Sequence, residues 1–162
     1  MKLSKKQKIR FLIYILVFGG LAIYRYFHFA NVSEISPGKD TVKYEVRYLW
    51  TSDGDTATFQ TEDGSEVSCR FLAVDTPEIE EEGYEEAKEY TRMALRKASR
   101  IILELDPQSD MYDKFDRLLA WVWVDGELLQ AKLIREGLAQ IRYLYEDYLY
   151  TDYLYKIQRE KE

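Results

Sequence analysis

The chain has 162 residues but only one histidine, His28, and one cysteine, Cys69. A His-based catalytic triad, a Cys/His zinc site and an intrachain disulfide are therefore all excluded. Any metal must sit on oxygen ligands, and any catalysis must run on carboxylates, Arg, Lys, Tyr or Ser/Thr. Proline is scarce as well, with three residues, and no internal repeat is visible. What is plentiful is apolar and aromatic: 46% hydrophobic residues and 15% aromatics, including 14 tyrosines. Such a chain can bury a core and is not a disordered tail. Its length suits one globular domain.

Charge divides the sequence in two. Residues 1–30 hold Lys2, Lys5, Lys6, Lys8, Arg10 and Arg25 and no acid. The remainder carries 17 basic and 29 acidic residues, a net −12. After the basic residues 1–10, Phe11–Tyr24 is an unbroken apolar run of 14 residues. As a helix it spans about 21 Å, and extension to Ala30 reaches the full hydrocarbon thickness of a bilayer. Residues 11–30 therefore read as a transmembrane anchor, with a cleaved signal peptide as the other reading. The preceding cations keep the N-terminus cytoplasmic, which places the following domain outside the cell membrane, or secretes it if the leader is cleaved. Residues 31–40, with Pro37 and Gly38 among polar residues, read as a linker. The domain proper is expected over residues 41–162.

From Thr41 the pattern turns to short β runs: Val42–Trp50, Thr56–Thr61, Val67–Val74, Ile101–Leu105 and Leu118–Val124. Asp63–Gly64 and Asp125–Gly126 are hairpin signals. Helices are expected at Glu85–Ser99, with Ala87, Tyr90, Ala94 and Ala98 on one face, and at Glu127–Glu136, stopped by Gly137. A third, Tyr-rich helix is expected over Glu146–Glu162. Five strands with short turns and about three helices suggest a mainly β, α+β domain. An OB-fold barrel is the natural candidate, and periodicity alone leaves an open sheet as the alternative.

Two clusters carry chemistry. Asp53–Gly54–Asp55–Thr56 joins two strands, and Arg70 precedes Asp75–Thr76–Pro77–Glu78 at the end of the third. Strands disfavour Asp and turns use it singly, so carboxylates gathered at strand ends point beyond turn chemistry. Asp55, Asp75 and a carbonyl such as that of Thr76 form a hard oxygen donor set. Glu78 stands within reach of a metal-bound water as a base, and Arg70 supplies charge for a phosphate. In Asp113–Lys114–Phe115–Asp116–Arg117 two further cations flank a turn. Beyond it, Tyr143 and Tyr145 alternate so that both rings face one way, a platform for a nucleotide base.

DGDT at 53–56, RFLAVDTPE at 70–78, DKFDR at 113–117, AWVWVDG at 120–126 and LIREGLAQIRYLY at 133–145 occur in this order and spacing. In these motifs the chain resembles the staphylococcal nuclease (thermonuclease) family over Val42 to Tyr145. The resemblance implies an OB-fold barrel and a Ca²⁺-dependent endonuclease that cuts DNA and RNA to leave 3′-phosphate ends. It further implies that Asp55, Asp75 and the Thr76 carbonyl hold calcium and that Glu78 orients or deprotonates the attacking water. By the same carry-over, Arg70 and Arg117 clamp the scissile phosphate and Lys114 meets its neighbour. Tyr143 and Tyr145 line the nucleotide pocket, in a protein expected to be a monomer tied to the membrane by its N-terminal helix.

This chain is expected to depart from the family pattern in a C-terminal helix that ends early and at three places nearer the site. Phe115 stands where a phosphate-binding tyrosine is usual, Asp116 replaces a glycine, and the loop after Glu78 is short and acidic. None of these removes a metal ligand, the base or either arginine. A domain at −12 repels a polyanion, so weak substrate binding with working chemistry is expected. The alternative is a nuclease-like OB-fold domain that binds nucleic acid or protein without turnover. A third class is a membrane-anchored interaction protein using the Tyr143–Tyr155 tail.

Overall fold

Strand β1, Lys43–Asp53, is long enough to serve two neighbours in succession. Its first residues, Lys43–Val46, pair antiparallel with Glu104–Ile101, and Arg47–Asp53 pair with Gln60–Thr56. Register shifts between Tyr48 and Trp50 and between Thr51 and Asp53 bend it on the way. Strands β2 (Thr56–Gln60) and β3 (Glu66–Phe71) form the expected hairpin, with Gly64 at φ 89° in its loop. Strand β4 is the short Val74–Asp75. Strand β5 (Ile101–Glu104) joins β1 to β6 (Leu118–Val124), and β6 returns to β3 in parallel through Cys69–Leu118, Arg70–Leu119 and Phe71–Ala120. Five strands, β1, β2, β3, β5 and β6, thus close into a barrel. This is the expected mainly β architecture, with three helices among the described residues, and it rules out an open sheet.

The computed structural model describes residues 35–161. The basic segment 1–10, the anchor or signal peptide 11–30 and the start of the 31–40 linker lie outside the described residues. Among the described residues no helix is long and apolar enough to cross a membrane.

Three differences from the sequence pattern have physical causes. The run Val67–Val74 splits because Ala73 turns left-handed, φ 63°, and Val74–Asp75 leave the barrel to pair with strand β8, Gln140–Ile141. Helix α1 (Tyr84–Lys97) buries Tyr84, Ala87, Thr91 and Leu95 rather than the Ala87, Tyr90, Ala94 and Ala98 face. Thr91 can be fully buried because its hydroxyl finds an acceptor in the Gly54 carbonyl. The third difference is at Asp125–Gly126, both at positive φ. They make a tight turn into strand β7 (Glu127–Leu128), so helix α2 spans only Leu129–Glu136 before Gly137 ends it at φ 79°.

The last helix, α3, spans Thr151–Lys161, starting later than Glu146 because the residues before it are drawn into the barrel wall. The Tyr150 ring lies edge-on to Trp121 and Trp123, with centroids 5.2 and 5.3 Å away. Its hydroxyl donates to Glu104 Oε2 at 2.9 Å, and Trp123 Nε1 donates to the same oxygen at 2.7 Å. Glu104 Oε1 accepts from Gly38 N at 2.7 Å and from the Thr41 hydroxyl. Asp106 Oδ2 accepts from Trp121 Nε1 and Leu149 N, each at 2.8 Å. Two buried carboxylates thus fasten the N-terminal segment and the tyrosine-rich tail to β5 and β6. Burial, with Glu104 beside it, pushes the Tyr150 phenol well above its ordinary range.

Candidate active site

The turn between β1 and β2 is built tightly enough to place Asp55. A Cβ on Gly54 would meet Thr76 Oγ1 at 2.7 Å and the Ala87 methyl at 2.8 Å, so only glycine allows α1 and Thr76 so near. Thr91 donates to Gly54 O at 2.5 Å, which seats α1 on the turn. Asp55 N donates to Asp53 Oδ1 at 3.2 Å, and Asp55 O accepts from Phe71 N at 2.9 Å. The Asp55 side chain therefore stands beside the Thr56–Arg70 pair, at the end of the β2–β3 ladder away from the hairpin loop, with its residue only 4% exposed.

Around that carboxylate the polar contacts converge. Arg70, on β3 opposite Thr56, puts Nη1 2.7 Å from Asp55 Oδ1 and Nη2 3.2 Å from Asp75 Oδ1. Thr76 donates twice to Asp55 Oδ2, from its N–H at 2.8 Å and its hydroxyl at 3.1 Å. The Thr56 hydroxyl donates to Asp55 Oδ1 at 3.2 Å. Tyr143 lies against the other side, its ring centroid 5.6 Å from the Arg70 guanidinium carbon. Asp75 is brought in by the β4–β8 pairing, in which its partner is Gln140.

The electrostatics are unbalanced. Burial pushes the Asp55 carboxyl up to about 7; Arg70 pulls the other way and the Asp53 charge adds to the rise. One guanidinium therefore does not offset the burial of this carboxylate among its acidic neighbours. Arg70 Nη1 itself is buried and close to Asp55 but out of line for a hydrogen bond, leaving a charged donor without a hydrogen-bond partner. A donor set of two carboxylates and a main-chain carbonyl, all hard oxygen, suits a cation such as Ca²⁺. Among the described residues no group of three or more His, Cys, Asp or Glu is gathered that could hold a metal ion.

The second cationic element stands at the start of β6. Arg117 is two residues before Leu119, the register partner of Arg70. Its Nε and Nη2 lie 2.7 and 2.6 Å from Asp113 Oδ2, while Asp113 Oδ1 accepts from Phe115 N and Arg117 N. Asp113 thus folds the turn and aims the guanidinium together. Phe115 is 65% exposed and sits between two cations, Lys114 Nζ at 5.0 Å and the Arg117 guanidinium at 5.3 Å from its ring. Asp116 is left-handed, φ 59°, which explains why glycine suits this position and why Asp, which tolerates that region, can replace it.

Asp55, Arg70, Asp75, Thr76 and Tyr143 are thus brought into one contact group. Lys114 and Arg117 belong to a neighbouring group held by Asp113 and Phe115. Glu78 and Tyr145 are exposed, and no described contact joins them to either group. Tyr143 and Tyr145 do not lie in an extended segment that would turn both rings one way. β8 ends at Ile141, and Tyr143 is left-handed at φ 58°. Sequence reasoning also gave no role to Thr91 or Asp113. The first is signalled by its helical spacing from Ala87, the second by an Asp four residues before an Arg across a turn.

A family model described as "Staphylococcal nuclease homologue" matches residues 68–161. The chain is 38% identical over 99 residues to the SPbeta prophage-derived endonuclease YokF of Bacillus subtilis (strain 168), covering 58% of this chain and 33% of that protein. It is equally identical over 99 residues to Endonuclease YncB of the same organism, 46% of which is covered. Thermonuclease of Staphylococcus hyicus is 35% identical over 98 residues, covering 56% of this chain and 55% of that protein. The chain matches about a third to a half of the length of these curated relatives.

Proposed function

Because the chain belongs to the staphylococcal nuclease family, we propose that it is a Ca²⁺-dependent endonuclease hydrolysing phosphodiester bonds of DNA and RNA to leave 3′-phosphate ends. The observation that carries this reading is the cluster in which Arg70 reaches both Asp55 and Asp75 while Thr76 donates twice to Asp55. Asp55, Asp75 and the Thr76 carbonyl are the residues to hold the metal. When bound, calcium supplies positive charge to a phosphate oxygen and to an attacking water.

The chain's own residues do the rest. Arg70 and Arg117 bind the scissile phosphate as forks whose hydrogen bonds strengthen as charge gathers on its oxygens. Asp113 supports this role for Arg117 by fixing the guanidinium before substrate arrives. Glu78 takes the proton of the attacking water or orients it. Lys114 meets the adjoining phosphate, and Tyr143 and Tyr145 provide apolar faces for the nucleotide. Phe115 offers a ring but no hydroxyl, so one phosphate contact is replaced by stacking. Together with the net −12 beyond residue 30, this predicts weak binding.

Residues 11–30 are proposed to anchor the monomeric protein in the cell membrane with residues 41–162 outside. Protease added to intact cells should then remove the domain from the membrane fraction. The enzymatic test is digestion of supercoiled plasmid and of RNA by the full chain, with calcium or with chelator. Cleavage that requires calcium and leaves 3′-phosphates supports the proposal. Binding without cleavage in calcium refutes it in favour of a non-catalytic OB-fold module.

A further inference from the structure

We propose that Glu81 is a positioning residue for Glu78, its carboxylate fixing the main chain that carries the base. The inference rests on the nuclease reading above, in which Glu78 acts on the attacking water. It starts from a contrast: Asp55 and Asp75 are held by Arg70, whereas the Glu78 side chain is exposed and makes no described hydrogen bond or ion pair. What the described contacts hold at this residue is its main chain, the point from which the side chain extends.

That backbone is held from both sides. Glu78 N donates to Glu81 Oε2 at 2.8 Å, and Glu81 N donates back to Glu78 O at 2.9 Å. Residue 81 thus binds residue 78 through its side chain and its main chain at once. Glu80 takes the left-handed conformation, φ 75°, that closes so short a turn. Tyr84 N then donates to Glu81 O at 3.2 Å, passing the constraint into the first turn of α1. At the near end Pro77 fixes its own φ and follows buried Thr76, whose N–H and hydroxyl are committed to Asp55. Glu78 is the first residue after that anchored pair, and Glu81 completes the clamp.

A carboxylate acceptor makes the stronger form of this bond, and any oxygen in the same place makes a weaker one. The bond is exposed, so it contributes little to the stability of the domain. Its effect is local: it fixes the main chain from which the base reaches toward substrate. One member of the acidic stretch Glu80–Glu82 thereby has a task other than adding charge.

The test compares Glu81→Ala, Glu81→Gln and Glu78→Gln in the full chain, with two readouts. The first is amide hydrogen exchange at Glu78 without calcium. It should accelerate in Glu81→Ala and stay near wild type in Glu81→Gln, whose side-chain oxygen accepts the same bond. The second is kcat and KM on a single-stranded oligonucleotide in calcium. Glu81→Ala should lower kcat by roughly 10-fold, within the ~10²-fold that misplacement by an ångström can cost, with KM unchanged or lower. Glu81→Gln should recover most of that loss, and adding Glu81→Ala to Glu78→Gln should cost nothing further. Equal damage from Gln and Ala, or a change in KM alone, overturns the positioning role. If Glu78→Gln itself keeps wild-type kcat, the assignment of the base has failed instead.

Discussion

Replacing Thr91 by valine keeps the shape of a fully buried side chain and removes one hydrogen-bond donor. The partner left behind is the Gly54 carbonyl, also buried, which accepts that bond at 2.5 Å. An unpaired buried carbonyl costs about 1–3 kcal/mol, whereas the methyl lost in Thr91→Ser costs about 1 kcal/mol. The order of stability should therefore be wild type, then Ser, then Val. If only packing mattered, Val would rank above Ser, because valine matches the volume and serine does not. For a domain of this size, ~2 kcal/mol corresponds to a fall in Tm of roughly 8 °C. Circular dichroism melts of the three proteins, repeated in urea, measure the order. Because Gly54 directly precedes Asp55, Thr91→Val should also lower kcat at a temperature where all three remain folded. A valine variant within about 0.5 kcal/mol of wild type, or above serine, would refute the view that α1 holds the turn by this bond.

Other outcomes follow from the same geometry. Arg117→Ala should lower the cleavage rate by roughly 10²–10³, the range for losing one preorganised donor, measured as single-turnover rate on an oligonucleotide. Asp113→Asn should lower it less, since the amide oxygen still accepts from Arg117. Calcium should bind with Kd on the order of 10⁻⁴–10⁻³ M by calorimetry, as sites with few protein ligands do, and Mg²⁺ should support much less turnover. Equal rates with both ions would count against the oxygen cluster as drawn. Tyr150→Phe removes the hydroxyl that donates to Glu104, and the urea midpoint should report a loss of about 1 kcal/mol with kcat unchanged.

Much of the barrel is readable from alternation and turn residues. Leu118–Val124 falls where its β-branched and aromatic run lies, and Gly64, Gly126 and Gly137 sit at the positive-φ positions their motifs imply. The motifs also delimit the residues gathered around Arg70. Less legible is whatever depends on long-range pairing of polar groups. Glu104 and Asp106 look like solvated charges in the sequence, yet indole and amide donors from distant segments satisfy them in the interior. Thr91 looks marginal for a buried helix face until Gly54 O is placed beside it. The facing of Tyr143 and Tyr145 fails because nothing local says that the chain turns left-handed at Tyr143. In each case the deciding partner is far away in the chain, beyond what a periodic pattern can hold.

The parallel closure of β3 on β6 has a consequence for when activity can appear. Arg70 acquires its neighbour Leu119, and Asp75 its partner Gln140, only after long intervening segments have been ordered. Contacts of such high sequence separation form late and slowly, because loop closure must precede the reward. Tyr150, which locks Trp121 and Trp123, lies near the C-terminal end. A ribosome-bound chain that has exposed DGDT and RFLAVDTPE therefore holds the reactive residues without the barrel that assembles them. On the proposed nuclease reading, such a chain should be inert until β6, β8 and Tyr150 have been added, because each supplies a partner that the ordered barrel needs.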